Sequence, residues 1–127
     1  MKDTTLYNSM IVEDEKDLCF LLSLILKQNH YTALCTNSIR EARQYLDEVH
    51  PWILFLDNHL TDGSGVDFII EIKKHMPHTK IVVITAHNSR QDHEAAMKNG
   101  ADYFISKPFD VATIFSILKT CRLGNTG

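Results

Sequence analysis

The sequence predicts an α/β protein with a parallel sheet covered by helices on both faces. Three observations carry that reading. Five short apolar runs alternate with five stretches of helical period along the 127 residues. The third and fourth runs are apolar without alternation, which is the pattern of strands buried on both faces. Successive parallel strands need crossover helices, and the alternation supplies one after each strand.

The elements follow in order. Ser9–Val12 is the first strand, closed by the acids Glu13 and Asp14. Leu18, Leu21, Leu22 and Ile25 then recur at the spacing of one helix face. The second run is Tyr31–Thr36. Ser38 and Glu41 form a capping box ahead of a helix carrying Ile39, Ala42, Leu46 and Val49. Pro51 separates it from the third run, Trp52–Leu56, which ends in Asp57. The polar loop Thr61–Gly65 leads into a helix over Val66–His75, which Pro77 stops. Lys80–Thr85 is the fourth run. Ser89 and Asp92 open a weakly apolar helix, about Gln91–Asn99, that Gly100 closes. Tyr103–Ser106 is the fifth run. Asp110 caps a last helix whose buried stripe is Ile114, Ile117, Leu118 and Cys121, with Gly124 as its stop.

Composition narrows the function. Hydrophobic residues make up 44% and charged residues 23%, both ordinary for a globular chain. The length fits one domain, residues 1–127. A net charge of −3 argues against direct nucleic-acid binding, which needs a basic face. Cys19, Cys35 and Cys121 are far apart in sequence and form no C-x-x-C pair, so they read as reduced core thiols. The opening MKDTTLYNSM has no apolar signal-peptide core. No run approaches the ~18 apolar residues of a membrane span, so no membrane partner is expected. The expected location is the cytoplasm.

The polar residues at the strand ends are the informative ones. Glu13 and Asp14 follow strand one, Asp57 ends strand three, Thr85 ends strand four, and Lys107 follows strand five. All lie at carboxyl ends of parallel strands, the edge where open α/β sheets bind ligands. Three carboxylates and one ammonium leave an excess of negative charge. At about 4 Å and an effective dielectric of 20, each like-charge pair costs roughly 4 kcal/mol. Such a site raises a carboxyl pKa or recruits a cation. Oxygen-only donors favour Mg²⁺, with Mn²⁺ or Ca²⁺ as substitutes. A carboxylate there can act as the nucleophile for a phosphoryl group, with the lysine and Thr85 contacting its oxygens. The sequence has no Walker motif or glycine-rich nucleotide loop, so bound ATP is not the expected donor.

The segments MIVEDE, ILFLDNHLTDGSG, IVVITAH and GADYFISKPF resemble the receiver domain of bacterial two-component response regulators. The resemblance runs from about Ser9 to Arg122. It implies a flavodoxin-like (βα)5 sandwich of three layers with strand order 2-1-3-4-5. It implies a signalling phospho-acceptor rather than an enzyme, served by a sensor histidine kinase or a phosphotransfer protein. Asp57 would be the acceptor and also a metal ligand. Asp14 would ligate Mg²⁺ directly, Glu13 through water, and the backbone carbonyl of His59 would be the third protein ligand. Thr85 and Phe104 would form the switch. Lys107 would pair with the carboxylates and then the phosphoryl oxygens, ahead of a cis bond to Pro108. The output surface would be the fourth helix, fifth strand and fifth helix, where a homodimer is compatible with the family. His59 and His87 occupy the positions that flank the acceptor. They are either two exposed imidazoles with no special role or groups that tune phosphoryl lifetime with pH.

Three departures stand out. The acidic pair is Glu-Asp where Asp-Asp is commoner, Thr61 replaces a frequent proline, and Phe104 replaces a frequent tyrosine. Other readings are a phosphorylation-independent pseudo-receiver, a haloacid-dehalogenase-type phosphatase and a flavin carrier. A pseudo-receiver often loses the acid pocket, which this chain keeps. The phosphatase wants a second aspartate where this chain has His59. The flavin carrier wants Ser, Thr and Gly where this chain has Glu13, Asp14 and Glu15.

Overall fold

The computed structural model describes residues 6–86 and 89–124. Its strands are β1 (Ser9–Val12), β2 (Leu34–Thr36), β3 (Ile53–Leu56), β4 (His59–Leu60), β5 (Gly63–Ser64), β6 (Lys80–Thr85) and β7 (Tyr103–Ser106). Its helices are α1 (Lys16–Gln28), α2 (Ile39–Val49), α3 (Gly65–His75), α4 (Arg90–Asn99) and α5 (Val111–Gly124). Five strands form one parallel sheet in the order β2-β1-β3-β6-β7. Setting aside the hairpin β4-β5, this is the expected order 2-1-3-4-5.

Strand alternation divides the core in two. Met10, Val12, Leu54, Leu56, Ile81 and Val83 face one side, against α2, α3 and the single buried residue of α4, Ala96. Ile11, Ile53, Phe55, Val82 and Ile84 face the other, against α1 and α5. The result is three layers, with β3 and the Ile81–Ile84 stretch of β6 continuously apolar because both of their faces are covered.

The caps behave as their residue types require. Ser38 Oγ accepts from Glu41 N at 3.0 Å, and the Glu41 carboxylate accepts from Asn37 N at 3.0 Å. Ser89 Oγ accepts from Asp92 N at 3.0 Å, and Gly100 ends α4 at φ 119°, a left-handed conformation suited to glycine. Asp110 Oδ1 accepts from Ala112 N at 3.0 Å at the start of α5. The Lys107–Pro108 bond is cis, as expected.

Five expectations need correction. The buried stripe of α1 is Cys19, Leu22, Ile25 and Leu26, whereas Leu21 is exposed and Leu18 only partly buried. The second strand begins at Leu34; Tyr31 contributes an isolated bridge to Tyr7 instead. Cys35 is exposed, because β2 is the edge strand, while Cys19 and Cys121 are buried. The Thr61–Gly65 loop is partly ordered by the antiparallel pair β4-β5, and Gly124 is the last helical residue rather than a stop outside the helix.

Candidate functional site

The carboxyl ends of β1, β3, β6 and β7 meet at one edge of the sheet. Parallel register brings them together: Asp57 N donates to Val12 O at 3.0 Å, and Lys107 N donates to Thr85 O at 2.9 Å. One carboxylate oxygen from each of Glu13, Asp14 and Asp57 lies within 4.8 Å of the others. Glu13 and Asp57 are buried and Asp14 is exposed.

Lys107 is the cation of this cluster. Its Nζ lies 3.0 Å from Glu13 Oε1, 3.7 Å from Asp57 Oδ2 and 3.7 Å from Glu15 Oε1. Burial pulls the ammonium pKa down. The hydrogen bond to Glu13 and the charges of Asp57, Glu13 and Glu15 outweigh burial and hold it above its ordinary value. For Glu13 the balance falls the other way. Burial pushes its carboxyl up to about 7, although the Glu15 amide and the Lys107 ammonium both favour the charged form; the Asp57 charge adds to the rise. One partly buried ammonium does not balance this set of acids. Hard oxygen donors with surplus negative charge and an exposed mouth fit a hydrated divalent cation such as Mg²⁺.

The loop after Asp57 is held from several sides. Asn58, itself buried, accepts at Oδ1 from Val66 N at 3.0 Å and from Ser64 Oγ at 3.1 Å. Its carbonyl accepts from Gly65 N at 2.8 Å. His59 N points back at Asp57 Oδ1, 3.3 Å away. The His59 imidazole is exposed, with Nε2 at 3.9 Å from Asp92 Oδ2 in the first turn of α4. His59, Asp14, Asn58 and Asp92 line a cleft of about 430 Å³ beside the acids.

Thr85 is fully buried at the end of β6. Phe104 pairs with Val83 across β6-β7 and is partly buried. Its ring stacks on His93 of α4, centroids 4.6 Å apart and planes 14° apart. Glu13, Asp14, Asp57, His59, Thr85 and Lys107 thus converge on one edge, with Phe104 set back beneath α4. His87 lies outside the described residues. Asn58, His93 and the cleft position of Asp92, which the sequence offered only as a helix-opening residue, were missed by sequence reasoning. Asn58 had a local signal, a turn-forming amide directly after a strand. The other two had none, since their partners are distant in sequence.

A family profile for the response regulator receiver domain matches residues 10–119. The chain belongs to that family. The receiver is 32% identical over 118 residues to the response regulator protein PilR of Pseudomonas aeruginosa, covering 92% of this chain and 26% of PilR. It is 30% identical over 112 residues to the phosphate regulon transcriptional regulatory protein PhoB of Escherichia coli, covering 87% of this chain and 49% of PhoB. The receiver therefore spans half or less of the length of these two relatives. Among solved structures, the beryllofluoride-activated NtrC4 receiver domain dimer superposes with a TM-score of 0.85 at 33% identity, covering 90% of this receiver and 94% of that chain. Among the described residues, no helix is long and apolar enough to cross a membrane.

Proposed function

We propose that this receiver takes a phosphoryl group onto Asp57 from a sensor histidine kinase or a phosphotransfer protein, in a reaction that depends on Mg²⁺. The observation that carries the reading is the Lys107 ammonium shared between the buried carboxylates of Glu13 and Asp57, beside Asp14 at the sheet edge. An isolated salt bridge needs one acid. This cluster holds more acid than its lysine balances, which is the electrostatic condition for accepting a metal and a phosphoryl group together.

Each residue has a role in that reading. Asp57 Oδ attacks phosphorus, and the donor's leaving group departs on the opposite side. Asp14, Asp57, Glu13 and the His59 carbonyl would hold Mg²⁺, which when bound neutralises charge on the phosphoryl oxygens. Lys107 supplies the second cationic contact and Thr85 a hydroxyl donor. Thr85 and Phe104 then act as the switch. With His93 stacked on Phe104, a change at Phe104 reaches α4 directly. Helix α4 is suited to moving because Ala96 is its one buried residue. Its surface with β7 and α5 is the output face, and a homodimer formed there on phosphorylation would match the assembly named for the NtrC4 receiver.

The test is intact mass after incubation with acetyl phosphate and Mg²⁺. Wild type is expected to gain one phosphoryl group, labile to hydroxylamine and not formed when a chelator is present from the start, and Asp57→Asn to gain none. A wild-type protein that binds no Mg²⁺ and gains no adduct overturns the proposal in favour of a phosphorylation-independent interaction module. Lys107→Ala is expected to slow adduct formation on the order of 10²-fold while the fold survives, because it removes one electrostatic contact to the transferring group. A stopped-flow phosphorylation rate equal to wild type would refute the role given to Lys107.

A further inference from the structure

The edge strand and the first helix bring together two thiols that the acid pocket does not use. Register places Cys35 opposite Ile11, on the α1 face of the sheet, and Cys19 faces the sheet from the first turn of α1. Cys35 Sγ donates to the Cys19 carbonyl at 3.5 Å and lies 3.1 Å from Ser23 Oγ, one helical turn beyond Cys19. Cys19 Sγ donates to the Glu13 carbonyl at 3.5 Å. Cys19 and Cys35 line a cleft of about 400 Å³ along α1 and the carboxyl end of β2, shared with Glu13, Asp14, Ser23 and Glu41. Cys35 is exposed there and Cys19 is buried.

We propose that Cys19 and Cys35 are a peroxide-oxidisable pair that closes into an intrachain disulfide, tying α1 to the edge strand β2. The oxidant is hydrogen peroxide. The exposed Cys35, as thiolate, attacks the O–O bond, which breaks to give a sulfenic acid at Cys35 and hydroxide. Cys19 sulfur, losing its proton, then attacks the Cys35 sulfur. The S–S bond forms as the S–O bond breaks, and the departing hydroxide takes a proton to become water. In sum, two thiols and one peroxide give one disulfide and two waters, with both sulfurs oxidised and both peroxide oxygens reduced. Cys35 is exposed and Cys19 buried, so Cys35 is the sulfur that peroxide reaches first. The Ser23 hydroxyl is placed to donate to a negatively charged Cys35 sulfur. On closure Cys19 gives up its hydrogen bond to the Glu13 carbonyl. The crosslink therefore acts on the chain segment that carries the acid pair.

The experiment treats the reduced full chain with a small excess of hydrogen peroxide, then unfolds it, alkylates it and digests it with trypsin. Cleavage after Lys16, Lys27 and Arg40 puts Cys19 and Cys35 on separate peptides. The expected result is one linked peptide pair lighter by two hydrogens, with Cys121 still alkylated. Cys35→Ser is expected to abolish the pair, Cys19→Ser to leave oxidised but unlinked Cys35, and Cys121→Ser to leave the pair intact. The crosslinked protein should also unfold at higher urea than the reduced one, since the bond constrains the unfolded chain. Cys35 oxidised to sulfinic acid with Cys19 still alkylated in the wild type would overturn the proposal. So would two unreacted thiols, or a disulfide found only between chains.

Discussion

Gly65→Ala is expected to destabilise the receiver by about 3 kcal/mol or more, a larger effect than alanine at Gly63 or Gly100. A Cβ at Gly65 would lie 2.2 Å from the Asp57 carbonyl oxygen, 3.0 Å from its carbonyl carbon and 3.0 Å from Leu56 Cγ. Two of those three atoms are backbone, so no side-chain rotation relieves the clash. Alanine would otherwise gain roughly 1 kcal/mol from helix propensity, since Gly65 opens α3. The overlap outweighs that gain. Relief requires α3 to back away from β3, and the Gly65 N–H to Asn58 O hydrogen bond of 2.8 Å goes with it. The Val66 and Ser64 contacts to Asn58 Oδ1 would loosen as well. Gly63→Ala makes the useful comparison. Its Cβ meets only the Ile39 Cδ1 methyl at 3.1 Å, and its cost is chiefly the backbone strain of φ 153°. Urea midpoints for the two variants should differ clearly, with Gly65→Ala the less stable. Equal midpoints would show that the β3-α3 approach is not as tight as the distances require.

This glycine also marks what the sequence could convey. The sheet strands were legible because β3 and β6 are continuous apolar runs ending in a polar residue. The rim residues followed from one rule about carboxyl ends, applied to Glu13, Asp14, Asp57, Thr85 and Lys107. Helix α1 was misread in phase because it is apolar nearly all round. With Leu18, Cys19, Phe20, Leu21, Leu22, Leu24, Ile25 and Leu26 in one stretch, periodicity does not choose a face. Burial chose Cys19 and Leu26, leaving Phe20, Leu21 and Leu24 exposed. The exposure of Cys35 depended on which strand lies at the edge, which needs the strand order. Asp62 was passed over as a loop acid, yet its carboxylate accepts from Ile39 N at 3.0 Å and Arg40 N at 2.9 Å at the start of α2. Those two backbone donors, Arg40 first, hold its pKa below the usual carboxylate range. Contacts made across 22 or 23 residues of chain leave no local trace.

The second large effect is a pH dependence that Glu13 imposes on the metal-free protein. Its carboxyl stands at about 7 in the folded chain, against 4.5 without the fold, and burial is the main cause. Between those values the native state keeps a proton that the unfolded chain releases. Stability then falls as pH rises across that window, because the native state binds more protons than the unfolded one. Below pH 4.5 the carboxyl is neutral in both states and carries no penalty, and above about 7 the penalty is complete and constant. Its size is on the order of 2 kcal/mol, after discounting for the solvent that reaches the pocket through exposed Asp14. Other groups oppose the trend. Glu71, held low by its hydrogen bond to Arg43, gains stability as pH rises instead. The informative quantity is therefore the difference between wild type and Glu13→Gln, in which groups remote from Glu13, Glu71 among them, cancel. With chelator present, urea unfolding across pH 4.5–8 should show wild type losing ground to Glu13→Gln up to about pH 7, and the two curves running parallel above it. Glutamine keeps the shape of the side chain without the charge, so Lys107 retains Asp57 and Glu15 as partners at 3.7 Å. A pH-independent difference would mean that the Lys107 ammonium compensates the buried Glu13 charge fully. The acid pocket would then hold no stored electrostatic cost for a cation to relieve.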